Sequence, residues 1–225
     1  MPQAQSWFAV VGGAFLVLLA VFAGYLAWRA RDTRPRVVCF GDSLTSCGGP
    51  HGRYSDFLAK MLPDVLVINK GISGETLEDG RRRFQRDVLD LRPMAMVIVL
   101  GANDWKRNER PIEKLREDLE AMVQSASEAG IEVVIAGTFG EHSNPVGRAL
   151  RERHKGESGF AEQILEMERA TARKFGCAHV ENMQVDLNSP DCWDSSGHPS
   201  AEGNSLIAPQ ILPLVRSALK RARSR

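Results

Sequence analysis

Four separated blocks of this chain each supply one residue type that acyl transfer uses. "FGDSLTS" places Ser43 two residues past Gly41, "NKGISGETL" carries Gly71 and Gly74, and "GANDW" carries Asn103 and Asp104. Near the C-terminus, "CWDSSGHPSAEG" holds His198 just before a proline and a helix-start pattern. A serine hydroxyl is a poor nucleophile unless a base takes its proton as it attacks, and histidine does this best near neutral pH. The resulting tetrahedral intermediate carries negative charge on the former carbonyl oxygen. Backbone N–H groups and an asparagine amide hold that charge without reorganising, one such donor contributing roughly 3–4 kcal/mol. Gly71 can present its N–H with no side chain in the way, and Asn103 can aim its NH₂ at the same point. Taken singly, each block also reads as an ordinary turn, helix cap or surface loop. The four in this order are the stronger signal.

Residues this far apart in sequence meet only if a fold gathers them. Short apolar runs bounded by Gly or Asn read as strands buried on both faces: residues 36–41, 64–69, 95–101, 131–137 and a weaker 177–182. Helical patterns separate them. Residues 54–62 make a short one, and residues 76–91 are highly charged, with Leu77, Phe84, Val88 and Leu91 on one side. Residues 111–129 open on Pro111 at a good first position and carry Leu115, Leu119, Met122 and Val123. Residues 159–175 and 201–219 complete the set. The alternation predicts an α/β fold whose parallel sheet is covered on both faces. Ligands of such sheets bind outside the carboxyl ends of the strands, where the first three blocks fall.

On these residues the chain resembles the SGNH (GDSL-type) hydrolase family from Val37 to about Leu214, and within it the bacterial thioesterase/lysophospholipase/arylesterase branch. The segments "FGDSLT", "NKGISGETLEDG", "VIVLGANDWKR", "LREDLEAMV" and "HPSAEGNSLIA" carry the likeness. The resemblance implies a three-layer α/β/α sandwich with a five-stranded parallel sheet. It implies Ser43 as nucleophile, His198 as base, and an oxyanion hole made by the Ser43 and Gly71 N–H groups with the Asn103 side chain. The implied reaction is hydrolysis of acyl esters or thioesters through an acyl-serine intermediate, with no metal or organic cofactor.

The chain departs from that family at the acid. The family pattern has an aspartate three residues before the histidine, where this chain has Ser195; Asp194 stands four residues before His198. Asp194 reaches the imidazole Nδ1 if the loop bulges, with Gly197 giving the backbone freedom. Asp191 is a second candidate. In a third arrangement His198 is oriented by a backbone carbonyl or by Ser195, and the site runs as a dyad. The acid of a triad orients the histidine and stabilises its charged form without taking the proton, so a dyad is slower but not inactive. A binding module that kept the fold and lost the chemistry is the alternative outside enzymes.

Composition bears on where such a domain works. The chain has 225 residues, 43% hydrophobic and 25% charged, with a net charge of +1. That allows one domain with a full core and argues against a nucleic-acid partner. Residues 7–28, "WFAVVGGAFLVLLAVFAGYLAW", carry no charge and as a helix span about 33 Å, enough for a bilayer core. Trp7, Tyr25 and Trp28 fall near the ends, as interface anchors do. The expected organisation is a transmembrane anchor at 1–30, a basic linker at 31–36, the hydrolase domain at 37–219 and a solvated basic tail at 220–225. A cleaved signal peptide fits less well, because no basic n-region and no small-residue cleavage site are present. Orientation is pulled two ways. Arg29, Arg31, Arg34 and Arg36 favour a cytoplasmic domain by the positive-inside rule, whereas the resemblance implies an exported, periplasmic or extracytoplasmic one.

The anchor tilts the expected substrate toward lipid-derived esters, with sugar O-acetyl esters as the alternative on the same site. The segment expected to face substrate is 138–160, with Arg148, Arg151, Arg153 and Lys155; Trp105 either lines an acyl pocket or packs under that loop. Among the cysteines Cys39 lies in a core run. Cys47 and Cys192 fall in segments that meet, and would pair only in an oxidising compartment.

Overall fold

Five apolar runs pair as five parallel strands. The computed structural model of the chain describes residues 21–22, 32–139 and 158–225. In the unit Pro35–Arg225 the strands are β1 (Arg36–Gly41), β2 (Leu66–Gly71), β3 (Ala95–Val99), β4 (Glu132–Ala136) and β5 (Ala178–Val180), in the order β2-β1-β3-β4-β5. Every pairing is parallel. All residues of β3 and β4 are buried, which is why their sequences read as continuous apolar runs. β2 starts two residues later than its apolar run. Val65 is still held in a turn by the Leu62 carbonyl, and Leu66 is the first to reach across, donating to the Pro35 carbonyl.

The described helices are α1 (Ser43–Ser46), α2 (Tyr54–Met61), α3 (Leu77–Asp87), α4 (Ala102–Arg107), α5 (Ile112–Glu128), α6 (Ser158–Phe175) and α7 (Ala201–Arg223). Alternate strand residues feed two cores. On one face Val37, Cys39, Val97 and Val134 meet Tyr54 and Leu58 of α2 and Ile207 and Ile211 of α7. On the other, Phe40, Met96, Ile98 and Ile135 meet α3, α5 and α6 through Phe84, Leu119, Met122 and Ile164. These are the three expected layers. The pattern at 76–91 does not run through: α3 stops at Asp87, and a 3₁₀ turn, Leu89–Leu91, ends on Arg92 in the left-handed region. At the C-terminus the residues expected as a solvated tail continue α7 to Arg223. Arg221 and Arg225 each sit 2.7 Å from the buried Glu132 carboxylate.

The expected membrane anchor lies outside the described residues apart from Val21 and Phe22, both exposed. No helix among the described residues is long and apolar enough to cross a membrane.

β1 lies between β2 and β3, so the chain leaves the sheet to opposite sides around it. Gly41 is level with Gly71 on one side and Val99 on the other. The first three loops therefore open at one point on the carboxyl edge, a topological switch. Arg83 of α3 fastens that edge. Its guanidinium donates to the Gly41 and Lys70 carbonyls at 2.9 Å each, pairs with Glu75 and Asp87, and lies 4.1 Å over the Phe40 ring.

Candidate active site

Ser43 is the first residue of α1, directly after β1. Asp42 caps that helix by accepting the Leu44 N–H at 2.9 Å. Asp42 is fully buried, and burial pushes its carboxyl up to about 7 against the pull of the Leu44 N–H. The strand-to-helix corner is tight enough to require glycine at 41: a Cβ there would stand 2.3 Å from the Val99 carbonyl oxygen and 2.4 Å from Thr45 Oγ1. His198 comes from the loop that leads into α7. Ser200 caps α7 by accepting the Gly203 N–H at 3.2 Å. The buried Asn204 donates to the Pro199 carbonyl at 3.2 Å and the Cys47 carbonyl at 3.3 Å, tying the histidine loop to the end of α1. His198 Nε2 thereby lies 2.9 Å from Ser43 Oγ.

The loop does bulge at Gly197, whose φ is +82°. The Gly197 N–H donates to the Asp194 carbonyl at 3.1 Å, and the Asp194 N–H to the His198 carbonyl at 2.8 Å. Asp194 still does not reach the ring. Its Oδ1 accepts the His198 backbone N–H at 3.1 Å, the Ser196 N–H at 2.8 Å and the Ser196 hydroxyl at 2.6 Å. The atom facing His198 Nδ1 is Ser196 Oγ, 2.8 Å away. Of the three arrangements open in the sequence, none has this geometry: one residue too many in "DSSGH" is taken up by a serine hydroxyl. Asp191 sits in the 3₁₀ turn Pro190–Cys192, where its carbonyl accepts the Ser200 hydroxyl. Ser195 is exposed.

Asn103 links the first three loops. Its Nδ2 donates to the Glu75 carbonyl at 2.8 Å and to Asp42 Oδ2 at 3.2 Å. Gly71 is turned the other way. In a parallel ladder alternate N–H groups face the partner strand. The Ile72 N–H goes to the Gly41 carbonyl, so the Gly71 N–H points to the outer side of β2, where Asn69 Oδ1 accepts it at 2.9 Å. Gly71 is glycine for a different reason: a Cβ would lie 2.6 Å from the Ser46 nitrogen. Gly74, in the same block, has φ +84° and open space around its Cα, and its carbonyl accepts from Arg107 at 2.8 Å. Among the described residues nothing accepts the Gly74 N–H. Gly74 stands next to Glu75, whose carbonyl holds Asn103.

Trp105 packs edge-on against Phe139, centroids 5.9 Å apart, where the described chain reaches residue 139. Arg148, Arg151, Arg153 and Lys155 lie outside the described residues. Cys47 and Cys192 are free thiols, as are Cys39 and Cys177, so the two are not bridged in this structure. Burial pushes the Cys47 thiol up to about 11.

A serine hydroxyl against an imidazole at the switch point of a parallel sheet, with an asparagine amide beside it, is what a serine hydrolase requires. Residues 39–206 match the GDSL-like lipase/acylhydrolase family, and the chain belongs to that family. It is 24% identical over 206 residues to an acetylxylan esterase of Geobacillus stearothermophilus, covering 79% of this chain and 92% of that protein. It is 32% identical over 114 residues to the uncharacterized lipoprotein YqeF of Bacillus subtilis (44% and 46% covered) and 35% identical over 74 residues to esterase TesA of Pseudomonas aeruginosa (33% and 36%). The match thus spans less than half the length of these last two. Among solved structures, a crystal structure of TesA gives a TM-score of 0.69 at 22% identity, covering 81% of this chain and 99% of that one. A catalytic mutant of a G. stearothermophilus acetylxylan esterase gives 0.66 at 19%, covering 82% and 96%. These structures share the fold.

Proposed function

We propose that the chain is a serine esterase that cleaves acyl esters through a covalent acyl-serine intermediate. The 2.9 Å contact between Ser43 Oγ and His198 Nε2, residues 155 apart in sequence, carries the reading. Ser43 Oγ attacks the ester carbonyl carbon while its proton passes to His198 Nε2. The carbonyl electrons move onto oxygen, where the Ser43 and Gly74 N–H groups and the Asn103 amide hold them. Asn103 turns from Asp42, the longer of its two bonds, toward the new anion. Collapse expels the alcohol, which takes the proton from the imidazolium. Water, activated by the same nitrogen, then releases the acid. Asp194 supports the charged ring from behind.

The substrate is a lipid-derived ester or thioester, a reading supported by the apolar residues 7–28, which tether the domain to a membrane. A second reading, a sugar O-acetyl ester, is favoured by the likeness to an acetylxylan esterase over 92% of its length. Hydrolysis of p-nitrophenyl esters from acetyl to palmitoyl, with Ser43→Ala beside the wild type, tests both. Ser43→Ala is expected to lose at least about a thousandfold in kcat and to escape labelling by a fluorophosphonate. Equal rates in the two proteins reject the esterase. An optimum at acetyl favours the sugar ester, and a rise with chain length the lipid.

A further inference from the structure

We infer that Ser196 is a positioning residue of this site: its hydroxyl bridges the Asp194 carboxylate and the His198 imidazole and decides which ring nitrogen carries the proton. The inference rests on the Ser43–His198 reading and adds to it a component that the family's aspartate spacing does not provide for.

The argument is one of hydrogen-bond direction. An ionised carboxylate only accepts. Burial nudges the Asp194 carboxyl upward, but the Ser196 hydroxyl and the two backbone N–H groups outweigh it and hold the group below the ordinary range. The 2.6 Å contact between Ser196 Oγ and Asp194 Oδ1 therefore uses the hydroxyl's single hydrogen. What Ser196 Oγ has left for His198 Nδ1, 2.8 Å away, is a lone pair. Nδ1 must then carry the ring proton, and Nε2 is left bare at 2.9 Å from the Ser43 hydroxyl, ready to accept. All three bonds run one way: Ser43 to His198, His198 to Ser196, Ser196 to Asp194. Without the carboxylate or the bridging hydroxyl, the opposite tautomer is equally open, and Nε2–H pointing at Ser43 cannot act as a base.

The backbone fixes the bridge in place. The Ser196 N–H is itself held by Asp194 Oδ1 at 2.8 Å, inside the turn closed by the Gly197 N–H. Ser195, the neighbouring hydroxyl, makes no hydrogen bond to ring or carboxylate among the described residues, so it serves as an internal control.

The test uses the full chain and five variants: Ser196→Ala, Ser196→Thr, Ser195→Ala, Asp194→Asn and the double Asp194→Asn/Ser196→Ala. Rates on a short p-nitrophenyl ester are combined with the ¹⁵N signals of the His198 ring near neutral pH. Ser196→Ala is expected to lower kcat about 10- to 100-fold, the loss of one hydrogen bond to a charged group, with KM nearly unchanged. Its ring signals should move from the Nδ1–H form toward Nε2–H. Ser196→Thr, which keeps a hydroxyl, should recover most of the rate, and Ser195→Ala should match wild type. The double variant should be no slower than the worse of its two single changes, since both break one chain. Wild-type rate and ring signals in Ser196→Ala overturn the inference, as does a Thr variant as slow as the Ala one. If wild type neither hydrolyses esters nor labels at Ser43, the esterase reading fails instead, and the ring signals still report whether Ser196 sets the tautomer.

Discussion

At Asp42 the Leu44 N–H at 2.9 Å and the Asn103 amide at 3.2 Å both favour the charged carboxylate, while complete burial, with Asp104 and Glu75 nearby, opposes it. Burial wins and raises the group to about 7. Between the ordinary carboxylate value and that one, the unfolded chain has released a proton that the folded chain keeps, so stability falls as pH rises. Asp42→Asn keeps an oxygen for the Leu44 N–H and has no proton to lose. Relative to wild type, the variant should therefore gain stability between about pH 4 and pH 7, by up to the order of 4 kcal/mol. Urea unfolding of both proteins at several pH values measures this, and a difference that stays constant with pH refutes it. The same scale explains what the sequence hid. Ser43 and Asn103 are legible because chemistry calls for their types just past strand ends, and His198 because a histidine falls just ahead of a helix start. Ser196 is not, because a loop one residue longer changes which atoms meet the ring, and spacing says nothing about the turn. Gly71 and Gly74 differ by the phase of a ladder at the end of β2, which glycine content cannot report.

At the scale of elements, Arg83 does for the sheet edge what the caps do for single helices. Its side chain is 6% exposed. Four groups depend on it: the Gly41 and Lys70 carbonyls and the Glu75 and Asp87 carboxylates. Arg83→Ala takes the donor from the half-buried Glu75 carboxylate and from the Gly41 and Lys70 carbonyls, while Asp87 keeps Lys70 and Arg86, and should cost about 1–3 kcal/mol. Arg83→Lys should recover only part, because one ammonium cannot replace a planar fork that serves partners on two sides. Denaturant midpoints of the three proteins test the claim, and an Ala variant as stable as wild type shows that the edge holds without it. Buried strands and long amphipathic helices such as α5 could be read from the sequence, because their apolar residues repeat at a fixed period. α1 and α4 could not. Four and six residues are too few to show a period, and each helix exists through contacts made across loops, Asp42 at the head of one and Asn103 within the other. The reach of α7 past residue 219 was hidden for a related reason. Its last turn is basic and looks solvated, but it is held by Glu132, a buried acid on a strand 89 residues earlier.

For the whole molecule, the two cores and every residue of the site lie within Pro35–Arg225. The chemistry of the site is therefore separable from the proposed membrane attachment. A chain starting at Asp32 should keep kcat on a water-soluble ester within about twofold, since it loses none of the charge or hydrogen bonding at Ser43. The full chain should sediment with membranes, stay there through a high-salt wash and come off only in detergent, because an apolar stretch of 22 residues, counted from 7 to 28, is held by burial and not by charge. The discriminating comparison uses an acyl ester dispersed in vesicles. There the proposed tether would confine enzyme and substrate to one surface and raise their effective concentration. The full chain should then outpace the shortened one at low ester concentration, and the two should converge on a soluble acetyl ester. A full chain that salt removes from the membrane loses the tether. Equal rates on vesicle-borne ester, with attachment intact, move the substrate off the bilayer and toward the sugar O-acetyl reading.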